Sequence, residues 1–213
     1  MPWLSPLALR MRGVKPPRYP SLWEAFVNVI VFQQLSLQAA SAIARRLVMA
    51  SGPPVVSEGR SLYAFPRVDQ VLRVEDRVLR ATGLSAGKIA TLRRVGEALA
   101  SGTLDEARLE EASSEEAAKA LLQIKGIGPW TAAVILLRGL GRLDVFPMND
   151  TSVAKNLALV AGTAPFDMAA VIDALRPQQG MLYYHLLLAR LDARGQVGRA
   201  SDTDGAPAGT RRS

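Results

Sequence analysis

Residues 121–140, LLQIKGIGPWTAAVILLRGL, interrupt two apolar helical runs with two glycines one residue apart, and the second run opens on a proline. Few local structures satisfy that pattern. Proline costs little in the first turn of a helix, where its missing N–H would have no intrahelical partner. Glycine carries no side chain, so paired glycines serve either a tight turn or a close approach of the backbone to something outside. The stretch predicts two helices joined by a hairpin, over about residues 117–140, and leaves both uses of the glycines open.

Helical periodicity extends to both sides. SLWEAFVNVIVF starts with Ser21 and Glu24 at capping-box spacing, and Ser36 opens SLQAASAIARRLVMASG, which Gly52 closes. Short helical pieces are expected at VDQVLR and EDRVLRATG, then a longer helix from Ser85 to Gly102 and another behind the Ser113/Glu116 box. The hairpin helix runs to about Leu140. LDVFP reads as a short extended link in which Asp144 anchors a backbone turn, and Asp150 caps TSVAKNLALVAG. DMAAVIDALR and QGMLYYHLLLARLDA complete the series. No alternating strand pattern of useful length appears, so the expected fold is all-α. Residues 1–195 form the expected domain, and the polar, Gly-rich residues 196–213 an expected disordered tail.

Composition narrows the function classes. With 213 residues and 49% apolar content, the chain can bury a sizeable core, as one domain or as two small lobes sharing it. No window reaches the roughly 18 uninterrupted apolar residues of a membrane span. Prolines break the N-terminal stretch MPWLSPLALRMRGVKPPRYP where a signal peptide needs apolar continuity. With no cysteine there is no disulfide framework, thiolate metal site or cysteine nucleophile, which suits a reducing cytoplasm. A single histidine, His185, excludes a multi-histidine metal site. The formal charge is +7, and 21 of the 26 basic residues are arginine, whose planar fork matches phosphate. That balance fits a polyanionic partner. It fits equally a solvated basic surface in a composition rich in Arg, Ala, Leu and Val.

Helix, IKGIG, helix is the pattern of a helix-hairpin-helix motif, whose turn presents backbone N–H groups at a helix start. Together with SLWEAFVNVIVFQQLSLQAA and DVFPMNDTSVAKNL, it makes residues 18–192 resemble the helix-hairpin-helix DNA glycosylase superfamily. The nearest branch is the alkylation-repair one, 3-methyladenine DNA glycosylase II. The resemblance implies two helical lobes with a cleft between them and monomeric action on double-stranded DNA containing damaged bases, with no membrane association. It also implies that the chain lacks the extra N-terminal α/β domain of longer bacterial members.

Residue by residue, the resemblance implies that Asp150 is the catalytic carboxylate. The spacing from Trp130 to Asp150 matches the family's gap between hairpin helix and aspartate. Phe32, Trp130, Val134, Thr151 and Leu187 are then expected to line the base pocket. Gln33, Gln34, Leu35, Lys125, Gly126, Ile127, Gly128 and Thr131 are expected to meet DNA, with Leu35 wedged into the base stack. No cofactor is required. The backbone carbonyls of Leu122, Ile124 and Ile127 are placed to hold a structural Na or K ion. Trp130 stands where bifunctional glycosylase/lyases carry a Schiff-base lysine, so base release without strand cleavage is expected. A non-catalytic DNA-binding module with the same hairpin is the rival reading, and it needs neither Asp150 nor Trp130. Val134, Thr151 and Leu187 are aromatic in the best-known bacterial member and Asn149 is usually aspartate, departures that bear on substrate range.

Overall fold

Serine and aspartate caps set most helix starts in the computed structural model, which describes residues 1–57, 59–148 and 150–195. A 3-10 turn at Pro2–Leu4 leads into α1 (Ser5–Arg10). α2 (Leu22–Phe32) begins where Ser21 Oγ accepts the Glu24 N–H, and α3 (Leu37–Ser51) where Ser36 Oγ accepts that of Ala39. Two short strands follow, β1 (Pro54–Ser57) and β2 (Arg60–Tyr63), then α4 (Val68–Arg73) and α5 (Asp76–Ala81). Ser85 caps α6 (Ala86–Ala100) and Asp105 caps α7 (Glu106–Glu111). The Ser113/Glu116 box closes in both directions at the head of α8 (Ser114–Leu122). α9 (Pro129–Arg138), α10 (Thr151–Ala161), α11 (Met168–Asp173) and α12 (Gln179–Ala193) complete the chain.

The helical expectation holds, with three additions. β1 and β2 pair antiparallel, Pro54 opposite Tyr63 and Ser57 opposite Arg60, with Gly59 at φ +72° in the turn. Every residue of both strands is exposed, so no apolar/polar alternation marked them. The short helices α1 and α7 also went unread. The tail at 196–213 and Asn149 lie outside the described residues.

Buried side chains fall into two clusters. Eight of the 11 residues of α2 are buried, and around them pack Leu47 of α3, Leu92 of α6, Leu121 of α8 and Ile135 of α9. The second cluster joins Leu7 of α1 to Leu157, Val171, Leu182 and Tyr184 of α10–α12. α9 serves both, sending Leu136 into the first and Leu137 into the second. α9 therefore runs where the two groups of helices meet.

Candidate nucleic-acid interface and active site

The two hairpin glycines do different jobs. Gly126 has φ +104°, and a Cβ there would lie 2.1 Å from Thr91 Oγ1 on α6. That glycine is needed for the turn and for the packing of α6 beneath it. Gly128 has an ordinary φ of −95°, and a Cβ on it would meet nothing within 4 Å. Its bareness has no internal cause. Among the described residues the N–H groups of Gly126 and Gly128, and the first-turn N–H groups of Trp130 and Thr131, have no acceptor. The hairpin thus turns a set of unpaired donors outward at the positive end of α9. Lys125 is exposed beside them, and its carbonyl accepts from Arg94 Nη1 at 3.1 Å.

Two expected contacts are corrected here. Thr131 is 3% exposed and its Oγ1 accepts from Gln33 Nε2 at 2.8 Å. The Thr131 side chain is turned inward, away from DNA, while Gln33 stays partly exposed; together they tie the loop after α2 to the head of α9. Ile127 is buried and its N–H goes to the Ile124 carbonyl at 2.9 Å, so it anchors the turn from inside. That bond occupies one lone pair of one of the three carbonyls expected to face a cation. Among the described residues no group of three His, Asp or Glu side chains could hold a metal.

The loop itself is braced from α6. Lys88 Nζ donates to the carbonyls of Val31 and Gln33 at 2.9 and 2.8 Å, filling the C-terminal end of α2. Burial lowers the Lys88 pKa, but the two carbonyls favour its charged form. Gln34 takes the left-handed region at φ +55°, and Leu35 beyond it is 40% exposed. A non-glycine residue at positive φ next to an exposed leucine is a loop held in shape by its surroundings. It stands beside the hairpin, because Thr131 joins them.

Asp150 lies at the junction of the two clusters. Its Oδ1 accepts from the Ser152 N–H at 2.8 Å and the Ser152 hydroxyl at 2.6 Å, capping α10. Its Oδ2 accepts from Trp130 Nε1 at 3.0 Å and the Tyr183 hydroxyl at 3.1 Å. Burial works against ionisation of the half-buried carboxyl. The hydrogen bonds from Ser152, Trp130 and Tyr183 outweigh it and hold the group below the usual carboxylate range. Tyr183 moves the opposite way: burial first, then the Asp150 charge, pushes its hydroxyl well above ordinary tyrosine. It stays protonated and donates.

Fixed backbone holds that geometry. Arg142 Nη2 donates to the carbonyls of Leu109, Glu110 and Ala112, pinning the start of the link to the end of α7. Gln179 Nε2 donates to the Asp144 carbonyl, and the Gly180 N–H to that of Leu143 at 2.7 Å. The link before Asp150 and the helix bearing Tyr183 are therefore bonded to each other.

Phe32 and Trp130 are partly buried and pack against the same hydrophobic cluster that contains buried Val134. Trp130 and Val134 are one turn apart on α9, and Leu187 is one turn beyond Tyr183 on α12. Thr151 heads α10, and its side chain lies outside the described set. His185 lines a cavity of about 440 Å³ with Leu4, Leu7, Arg176 and Met181, and Asp150 has no part in it. Reading the sequence missed Tyr183, Ser152 and Lys88. Only Ser152 carried a local sign, two residues after a capping aspartate.

Residues 27–171 match the model of the HhH-GPD superfamily base excision DNA repair proteins. The chain belongs to that superfamily. As an HhH-GPD protein it is 37% identical over 134 residues to DNA-3-methyladenine glycosylase 1 of Schizosaccharomyces pombe, covering 62% of this chain and 54% of that one. The DNA-3-methyladenine glycosidase of Bacillus halodurans superposes with a TM-score of 0.68 at 30% identity, covering 91% of this chain and 92% of the other. The Schizosaccharomyces pombe 3-methyladenine DNA glycosylase solved with abasic DNA gives 0.70 at 25% identity, over 89% and 92% of the two chains. The chain spans about half the length of the first curated relatives it matches.

Proposed function

We propose that this protein is a monofunctional DNA glycosylase that hydrolyses the N-glycosidic bond of alkylated purines in duplex DNA. The ionised Asp150 carboxylate, held by four donors 20 residues beyond Trp130, carries the reading. Breaking that bond builds positive charge on the sugar, and a fixed carboxylate stabilises it, as in glycoside hydrolysis. A base such as 3-methyladenine is already cationic and leaves neutral, so no second carboxylic acid is required. The names of the relatives support this substrate class, and the relative solved with abasic DNA supports DNA as the partner. Trp130 at the hairpin position leaves no amine there for a Schiff base.

The test is incubation with methylated duplex DNA and identification of the released bases. Free 3-methyladenine, with no protein–DNA adduct on borohydride treatment, is the expected result. A trapped adduct, or DNA binding without any released base, would overturn the reading.

Gly128 offers a sharper check on the interface. Gly128→Ala meets no neighbour in the protein, so its thermal midpoint should stay within a few degrees of the parent. A methyl group at the donor surface would keep a phosphate away, so affinity for duplex DNA should fall several-fold. Undiminished affinity would remove Gly128 from the interface.

A further inference from the structure

We propose that Tyr183 is a positioning residue for Asp150, holding Oδ2 of the carboxylate in place through its hydroxyl while the ring is locked from behind. The proposal rests on the glycosylase reading above. An ionised carboxylate has about four acceptor sites, and here all four are filled. Ser152 holds Oδ1 from the same helix, as a helix cap does. Among the described residues Oδ2 is held from outside α10, by Trp130 on α9 and Tyr183 on α12, and its place in the site depends on them.

The two outside donors are not equivalent. Trp130 is partly buried in the first turn of α9, at the edge of the packed cluster. Tyr183 is 9% exposed and stands edge-on to Phe146, with ring centroids 6.2 Å apart at 90°, and to Tyr184 at 6.3 Å. Tyr184 is fastened in turn, its hydroxyl donating to the carbonyls of Pro17 and Leu137, both at 3.2 Å. Tyr183 therefore has no room to swing. When a flipped base enters beside Trp130, the Trp130 bond is the one that can open, freeing an Oδ2 lone pair toward the sugar and its attacking water. Tyr183 keeps that oxygen aimed.

The charged and titratable groups facing the pair are few. Arg138 of α9, stacked over Tyr19 at 4.6 Å, lowers the Tyr183 value, and Tyr184 raises it. Neither acts on Asp150 directly, whose balance is set by burial and its four donors. Removing the Tyr183 hydroxyl takes away one bond to the ionised form, so Asp150 must titrate at higher pH.

Tyr183→Phe keeps the ring and its edge contacts. The carboxyl carbon of Asp150 is followed by NMR in parent and variant across acidic pH, with Asp150→Asn to assign the signal. Single-turnover release from methylated duplex DNA is measured over the same range. The variant should titrate roughly one pH unit higher, the worth of one charge-assisted hydrogen bond, and release base about tenfold more slowly with unchanged DNA affinity. The acidic limb of its rate profile should move up with the titration. An unmoved titration would overturn the proposal, as would a moved titration with the parent's rate. A lowered thermal midpoint with an unmoved titration would make Tyr183 a packing residue only. Should the parent release no base, the glycosylase reading fails, and the titration still decides whether Tyr183 holds the carboxylate.

Discussion

Asp150→Asn is expected to slow base release on the order of a thousandfold while leaving DNA affinity at or above that of the parent. A unit charge about 4 Å from a developing cation contributes roughly 4 kcal/mol at an effective dielectric near 20. That corresponds to on the order of a thousandfold in rate. Binding should not suffer, because a carboxylate repels phosphate and its loss removes that repulsion. The amide also fits the donor set poorly. With its oxygen kept on Ser152, its nitrogen faces the Trp130 indole N–H, which can only donate. A modest fall in thermal midpoint at neutral pH is therefore expected, and it should shrink in acid. The Asp150 carboxyl is held below its ordinary range, so its contribution to stability is present above the unfolded-state pKa and is lost as pH falls through the folded one. Single-turnover rates, binding by anisotropy and melting at two pH values together make the check. An Asn variant within tenfold of the parent rate would remove Asp150 from the chemistry.

What could be read from the sequence was local. The hairpin, the Ser21, Ser36, Ser85 and Ser113 caps and Asp150 at the head of α10 each depend on residues within a few positions of one another, and each is in place. Contacts made across the fold were not legible. Tyr183 sits in the apolar run MLYYHLLL, where a tyrosine reads as core, and its partner is 33 residues away. Lys88 carries no local sign of its role in α6, yet it fills carbonyls 55 and 57 residues distant. The resemblance placed Gln33 and Thr131 among the residues that meet DNA; 98 residues apart in sequence, they are bonded to each other. The β1–β2 hairpin was missed for the opposite reason. It buries nothing, so it leaves no hydrophobic pattern to find.

Gly180→Ala is expected to cost activity well beyond its cost in stability. An added Cβ would lie 2.6 Å from Leu137 Cδ1 and 2.8 and 2.9 Å from the carbonyl oxygens of Leu143 and Val145. The leucine can turn aside. The two oxygens are backbone of the link that leads to Asp150, and they yield only if the link moves off α12, stretching the bond from Gly180 N–H to Leu143. Overpacking of this kind costs roughly 1–3 kcal/mol. The usual helix gain of Ala over Gly, about 0.5–1 kcal/mol, offsets part of it. A net loss near 1–2 kcal/mol lowers the midpoint of a chain this size by about 2–8 °C. Catalysis is more sensitive, since the link positions Asp150 and Tyr183 follows one turn after Gly180 on the same helix. Separating the two by about 1 Å would lengthen the Tyr183–Oδ2 bond past useful distance, and misplacement on that scale costs on the order of a hundredfold in rate. The measurement is single-turnover release at a temperature where parent and variant are both fully folded, with melting curves alongside. An unchanged midpoint and rate would mean that α12 and the link are free to separate, and that their bonding does not set the position of Asp150.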